Sequence, residues 1–433
     1  MKYGFEHFLQ AGHGRAYLIA KSDPGKYRDR ILGVCRKDYA FDMQCEGSRA
    51  FLTYDLVSLF PDKTPFIDAA VESLEASSGL EWREMNHLSD LLLKFGQRHP
   101  LIRKLETIEK NFYSDEPSDT IHELLQTFEY LAIDLMQSGD ERDLGILIGK
   151  IGRWFLSQEG ETLHKLKTYF MWFDSCAEKI YGEDRFDIAR KNSKFPEAVD
   201  EYRRVMSYEI VYSRPEEEPL TADKVLSWIR EDPKIGHIDL RRQGLNRLSS
   251  DELIKVARAM ETESDMEVKA GILSVFLTER FRWPLDISIL IDLSYSDHER
   301  LRTNACQALS FFRSDRNRER GLEILKEGYD ADALKLVIEN FREEDEELVM
   351  GFLSNIPISS DNEGEWHGIV SAISKRHGDI SLSIMKWAYE SSWCSCCREH
   401  IVEDMLEKGV FPEEYREEVK WDANLDIRAM FEE

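Results

Sequence analysis

The sequence predicts an all-α protein, an α-solenoid of stacked antiparallel helix pairs with an irregular N-terminal cap. Three observations predict it. Apolar side chains recur at helical period from about residue 50 onward. No segment joins sustained period-two alternation to an Asn-Gly or Asp-Gly turn, the strongest short signal for a hairpin. The chain has 433 residues, 42% of them hydrophobic, which is enough for two or three domains or one extended repeat array.

Residues 1–50 read as the cap. They hold Gly12-His13-Gly14-Arg15 and Cys45-Glu46-Gly47-Ser48-Arg49, polar residues set among glycines. Residues 51–212 read as an N-terminal helical domain. Within it Leu124, Leu125, Phe128, Leu131, Ala132 and Leu135 share one stripe, Thr120 and Glu123 have capping-box spacing, and Gly139 marks the stop. The run Ser207–Tyr212 is the best strand candidate. The linker is 213–219, where Pro215, Pro219 and three glutamates oppose regular structure. Residues 220–433 read as C-terminal repeats. Ser249 and Glu252 repeat the start signal before Leu253, Val256, Ala257 and Met260, and Leu301, Ala305, Ala308, Leu309 and Phe312 form another stripe. Residues 357–364 read as a long loop.

An acidic residue followed by an aliphatic and a basic one opens several of these stripes: Asp265 with Val268-Lys269, Asp297 with Leu301-Arg302, and Asp426 with Ile427-Arg428. Val268 to Leu301 is one step of 33 residues, and Leu301 to Ile427 fits three units of ~42 residues, within the span of helical repeats. Asp345 with Leu348-Val349 lacks the basic residue. The pattern resembles the second helix of HEAT repeats, and the two glycine-flanked N-terminal segments resemble those of uncharacterised bacterial HEAT-like proteins. The resemblance implies stacked helix pairs with a concave, partner-binding surface and the role of scaffold or adaptor, but no activity.

With 83 acidic against 57 basic residues the net charge is -26. Nucleic acid is therefore not an expected partner, because phosphate binding needs cationic stripes. The short basic groups Arg241, Arg242, Arg247 and Arg313, Arg316, Arg318, Arg320 read as solvated helix ends, which also argues against the DNA glycosylases built on such repeats. No run reaches the ~18 apolar residues a bilayer span needs, and no export signal opens the chain, so no membrane partner and a cytoplasmic location are expected. Seven irregularly spaced cysteines fit reduced thiols.

Residues that carry chemistry concentrate at the N-terminus. His13 has the pKa range of a general base and Cys45 is a nucleophile where a neighbour lowers its pKa, with Glu46 beside it; Arg15, Ser48 and Arg49 form a ligand-binding set for an anion. The alternative is a purely structural cap. A second group, Cys394, Cys397 and His400, has C-x-x-C spacing and an imidazole one turn on, the donor types of a zinc site that lacks a fourth ligand nearby. Glu84 with His87 and Glu161 with His164 have the Glu-x-x-His spacing of di-iron bundles but read as solvated helix faces. No zincin or nucleotide fingerprint occurs, and no cofactor is expected. The expected function is protein binding on a repeat surface, with Trp154, Tyr169, Trp172 and Phe173 as the aromatic anchors to test. The alternatives are an enzyme acting on a small anionic substrate through His13, Arg15, Cys45, Glu46 and Arg49, and an acidic inhibitor or immunity-type protein against a basic partner.

Overall fold

A computed structural model of the chain describes residues 3–41, 45–76, 82–112, 118–137, 139–207, 219–375 and 380–432. The protein is all-helical. Among the described residues the only β-type pairing is an isolated bridge between Leu220 and Leu248, and no helix is long and apolar enough to cross a membrane. Most of the Ser207–Tyr212 run and of the 213–219 linker lies outside the described residues.

The chain forms two compact units. The first comprises residues 1–212 together with 393–396 and 412–433; the second comprises 213–392 and 397–411. The final 22 residues thus belong with the N-terminal helices rather than with the 220–433 block, so Ile427 is not a member of the repeat series assigned from its motif.

In the first unit the expected irregular cap is largely helical: α1 (Phe5–Gln10), α2 (Arg15–Ser22) and α3 (Arg28–Val34) precede α4 (Ala50–Ser58). The helices are short, and the glycines that gave the segment its irregular look sit between them. Then come α5 (Thr64–Ala76), α6 (Trp82–Lys94), α7 (His99–Phe112), α8 (Ser118–Gln137), α9 (Glu141–Leu156), α10 (Gly160–Tyr181), α11 (Arg185–Asn192) and α12 (Pro196–Met206). Helix α8 starts two residues before Thr120, whose side chain lies outside the described ones.

From α4 onward each even-numbered helix packs on the next, α4 on α6, α6 on α8, α8 on α10 and α10 on α12, and α5 packs on α7. Their stripes meet in one core that includes Leu88, Phe128, Trp154, Phe170 and Phe173, all buried. Helix α9 lies unusually close to its neighbours because glycines line it: a Cβ on Gly152 would stand 1.9 Å from the carbonyl oxygen of Ala198 on α12. Only hydrogen fits there.

The second unit contains α13 (Ala222–Glu231), α14 (His237–Arg242), α15 (Ser250–Thr262), α16 (Met266–Ser274), α17 (Ser288–Leu293), α18 (Glu299–Leu309), α19 (Asp315–Glu327), α20 (Ala331–Glu339), α21 (Glu346–Leu353), α22 (Glu363–Ser374), α23 (Leu382–Ser391) and most of α24 (Ser395–Glu407). Helices α16, α18, α20, α22 and α24 begin 33, 32, 32 and 32 residues apart, a shorter step than the ~42 inferred with Ile427 in the series. Helix α16 packs on α18, α18 on α20 and α20 on α22. The long loop expected over 357–364 is partly a 3₁₀ turn, Ser360–Asn362, that leads into α22.

Caps and buried polar groups fix this register. Asp265 accepts hydrogen bonds from the backbone N–H groups of Glu267 and Val268, and Ser249 accepts from that of Glu252. The Glu252 carboxylate does not close a box on Ser249 but accepts from Ala222 N at 2.7 Å, tying α15 to the start of α13. Between neighbouring helices, Asn304 Nδ2 donates to Ala270 O at 2.8 Å, and the Arg320 guanidinium donates to Ser294 O at 2.7 Å.

The chain returns to the first unit with α25 (Arg416–Val419) and α26 (Leu425–Ala429). Helix α25 packs on α2, Ala423 N donates to Gly12 O at 2.8 Å, and Arg428 pairs with Asp55 at 2.8 Å.

Candidate functional site

The N-terminal polar residues converge in the first unit, and their partners define what they do. His13, between α1 and α2, is fully buried, with Phe8 at a ring distance of 5.0 Å. Its Nδ1 accepts from the Arg15 backbone N–H at 3.1 Å, so in the neutral ring the proton lies on Nε2, which stands 3.8 Å from Glu418 Oε1. Arg15 grips the same carboxylate with both arms of its fork, Nε to Oε2 at 2.6 Å and an Nη to Oε1 at 2.9 Å, and its guanidinium covers the Phe8 and Tyr415 rings. Gly14 admits this contact: a Cβ there would stand 1.8 Å from Glu418 O.

Arg49 is engaged in the same manner. It donates to Glu46 at 2.7 Å, to Trp393 O at 2.9 Å and to Gln10 O. Ser48 Oγ accepts from Ala50 N at 3.1 Å, so it takes up an N–H at the start of α4 that an anion would have used. Cys45 is exposed, and its carbonyl accepts from the Cys396 thiol at 3.2 Å. A hydrogen bond with Cys394, followed by burial, pushes the Cys396 thiol above its ordinary pKa, which keeps it from acting as a thiolate. Arg15 and Arg49 thus face carboxylates and backbone carbonyls. His13 is sealed in the core while Cys45 is at the surface, an arrangement that joins helices rather than presenting a base and a nucleophile to one substrate.

Beside Arg49 the structure places a group that sequence reasoning missed. His87 on α6 is buried, not solvated; its Nε2 lies 2.8 Å from Val34 O and its Nδ1 3.7 Å from Asp38. One turn on, Asp90 is raised from the usual carboxylate range by burial and is hydrogen-bonded to Ser48. On α8, Asp134 is pushed up to about 8 by burial, then by the nearby Asp90, while the Ser89 hydroxyl donates to it. Tyr39, Arg49, Thr53 and His87 contribute the polar lining of a cavity of about 10 Å³, room for about one water molecule. No organic substrate fits. The signal for burial was present: His87 shares a helix face with Leu91, four residues on and buried, but a lone Glu-x-x-His in an acidic chain points equally to solvent.

Of the other histidine pairs, Glu84 is 3.8 Å from Lys37, while Glu161 pairs with Lys165 at 2.8 Å and His164 is exposed. Among the described residues neither His87 nor His164 belongs to a set of three donors within metal-sharing distance. His400 is exposed on α24. The imidazole beside Cys397 is that of His367, whose Nε2 is 3.7 Å from the thiol sulfur.

The aromatic residues of α9 and α10 part company. Trp154 and Phe173 are fully buried, and Tyr169 is half-buried. Trp172 is 49% exposed, with the Tyr130 ring edge-on at 5.4 Å, and Ile180 is 41% exposed. Tyr169, Trp172, Cys176 and Ile180 follow helical spacing along one flank of α10; Tyr169 and Cys176 pack partly against the core, while Trp172 and Ile180 are exposed.

The chain matches no family model, and no curated protein or solved structure is significantly similar to it.

Proposed function

We propose that the chain is a protein-binding scaffold of the helical-repeat kind, an α-solenoid of paired helices whose contact with a partner centres on Trp172. The observation that carries the reading is the apolar flank of α10. A half-exposed tryptophan beside tyrosine and isoleucine is the composition of an interface anchor, because its large rigid ring loses little entropy when covered. Support for the repeat architecture comes from the alternate-helix packing within each unit and from the 32- to 33-residue step of the second helices. The enzyme reading has less behind it, since its arginines are engaged by Glu418 and Glu46 and the adjoining cavity holds about one water.

The test uses the full chain, tagged, to isolate a partner from the native host; the partner is then produced separately and titrated by calorimetry. Trp172→Ala is expected to raise Kd about 30-fold, a loss of about 2 kcal/mol, while Lys165→Ala on the same helix changes it little. An unaltered Kd for Trp172→Ala removes the α10 flank from the interface.

A further inference from the structure

The second unit has an edge that the scaffold reading on α10 does not use. It is made by the turns that join the first helix of each pair to the second. In three consecutive pairs this turn exposes one large apolar residue: Met266 at the start of α16, 46% exposed; Tyr295 before α18, 55%; and Tyr329 before α20, 43%. Tyr295 and Tyr329 each stand two residues beyond the end of the preceding helix. Because α16, α18 and α20 pack in succession, their N-terminal turns follow one another along a single edge.

Both tyrosines are held in place. Arg320 stacks on Tyr295 with its guanidinium 3.6 Å from the ring centroid, and the Tyr295 hydroxyl donates to Glu323 at 2.7 Å. Tyr329 is hydrogen-bonded to Glu365 and packs near Phe352, ring centroids 5.8 Å apart. Rings fixed before binding lose little freedom when covered.

The charge around them has one dominant sign. Residues 261–268, 292–300 and 320–332, which include the Arg320 stacked on Tyr295, carry eleven carboxylates and three cationic side chains, a far steeper imbalance than the 83 to 57 of the whole chain. The positive ends of the helix dipoles at this edge do not reverse it, because side chains of Asp265, His298 and Asp330 already cap α16, α18 and α20. Asp292, Asp297, Glu299 and Glu327 are exposed beside the apolar residues. A ridge that alternates an apolar side chain with carboxylates is complementary to a chain that alternates apolar with cationic ones.

Spacing sets the register of such a chain. Neighbouring packed helices lie about 10 Å apart, and a polypeptide in the polyproline II conformation rises about 3.1 Å per residue with three residues per turn, so every third side chain returns to one face after about one repeat. We propose that this edge binds a basic polypeptide segment in the polyproline II conformation with an apolar side chain at every third position, each meeting one of Met266, Tyr295 and Tyr329 while lysines or arginines between them meet the carboxylates.

The test is fluorescence anisotropy of the full chain with labelled synthetic peptides of about twelve residues. One repeats Leu-Lys-Arg; the second has the same composition with the leucines moved off the three-residue period. The periodic peptide is expected to bind about tenfold more tightly than the scrambled one, and both to weaken when salt rises from about 50 to about 300 mM. Met266→Ser/Tyr295→Ser/Tyr329→Ser, checked for an unchanged circular dichroism spectrum, is expected to abolish the preference for the periodic peptide. Asp292→Asn/Asp297→Asn/Glu327→Gln, which removes charge but no apolar contact, is expected to weaken both peptides. Trp172→Ala is expected to affect neither. Equal binding of the two peptides, a preference that survives the triple serine variant, indifference to the charge variant, or a loss with Trp172→Ala would each overturn the proposal.

Discussion

The two units hold themselves together over very different distances along the chain. In the first, the decisive polar contacts join residues hundreds of positions apart: Arg15 to Glu418, separated by 403, and Arg49 to Trp393, separated by 344. In the second, comparable contacts join helices close in sequence: Asn304 to Ala270, 34 apart, Arg318 to Asp345, 27 apart, and Arg320 to Ser294, 26 apart. Contacts of the second sort leave the effect of a lesion local, because each joins segments that are near neighbours in the chain. A unit of the first sort depends on single long-range closures.

The largest test of that contrast is Glu418→Ala. It leaves Arg15 buried without its counter-ion and His13 without the carboxylate beside it, and the expected loss is about 3–5 kcal/mol in urea denaturation. In the second unit Glu279→Ala, which removes a solvated pair with Arg282, is expected to leave the midpoint unchanged. A small effect at Glu418 would mean that the C-terminal return is held by its apolar contacts instead.

Next in size is a pair of glycine substitutions. Gly152→Ala drives a Cβ against the backbone carbonyl of Ala198, which cannot move without shifting α12, at an expected cost of about 1–3 kcal/mol. At Gly271 in the second unit the nearest atom is the Ile229 side-chain Cγ2 at 2.6 Å, followed by Pro233 O at 2.9 Å, so part of the overlap is relieved by a rotamer change and the loss is expected to be smaller. Equal losses would show that α16 is packed as rigidly as α9.

A further test is a pH dependence that two buried carboxylates bring to the first unit. Burial raises Glu129 to about 7, and burial with Asp90 raises Asp134 to about 8. Each folded-state value lies above the unfolded one near 4, so the folded state binds more protons in between. Stability from these groups is full below about pH 4 and is lost as pH rises through about 7 and then about 8. Glu129→Gln/Asp134→Asn is expected to flatten the fall in denaturation midpoint between about pH 5 and about pH 8. An identical slope in wild type and variant would place the dependence elsewhere.

Helix content was legible because it is local: the stripe of α8 and the caps at Ser249 and Asp265 need only their own neighbours. The step of 33 from Val268 to Leu301 was equally legible, and the longer step to Ile427 misled because a matching motif says nothing of which unit its helix joins. His13, Arg15 and Arg49 stood out as unusual residues, yet their roles depend on Glu418, Trp393 and Gln10, none of which sequence spacing connects to them. His87 shows the reverse error. Its burial is set by Val34 and Asp38 from another helix and loop, while its own helix carries enough charge to look solvated.

The return of residues 412–433 to α2 also bears on the order of events at the ribosome. The N-terminal helices are made before the second unit, whereas Glu418 and Ala423, which close on Arg15 and Gly12, follow it. At about 5–20 residues per second, some 10 to 40 s separate Tyr212 from the C-terminal segment. During that interval Tyr17 awaits Trp421, which stacks on it at 3.8 Å, and the second unit has the opportunity to form before the first is complete.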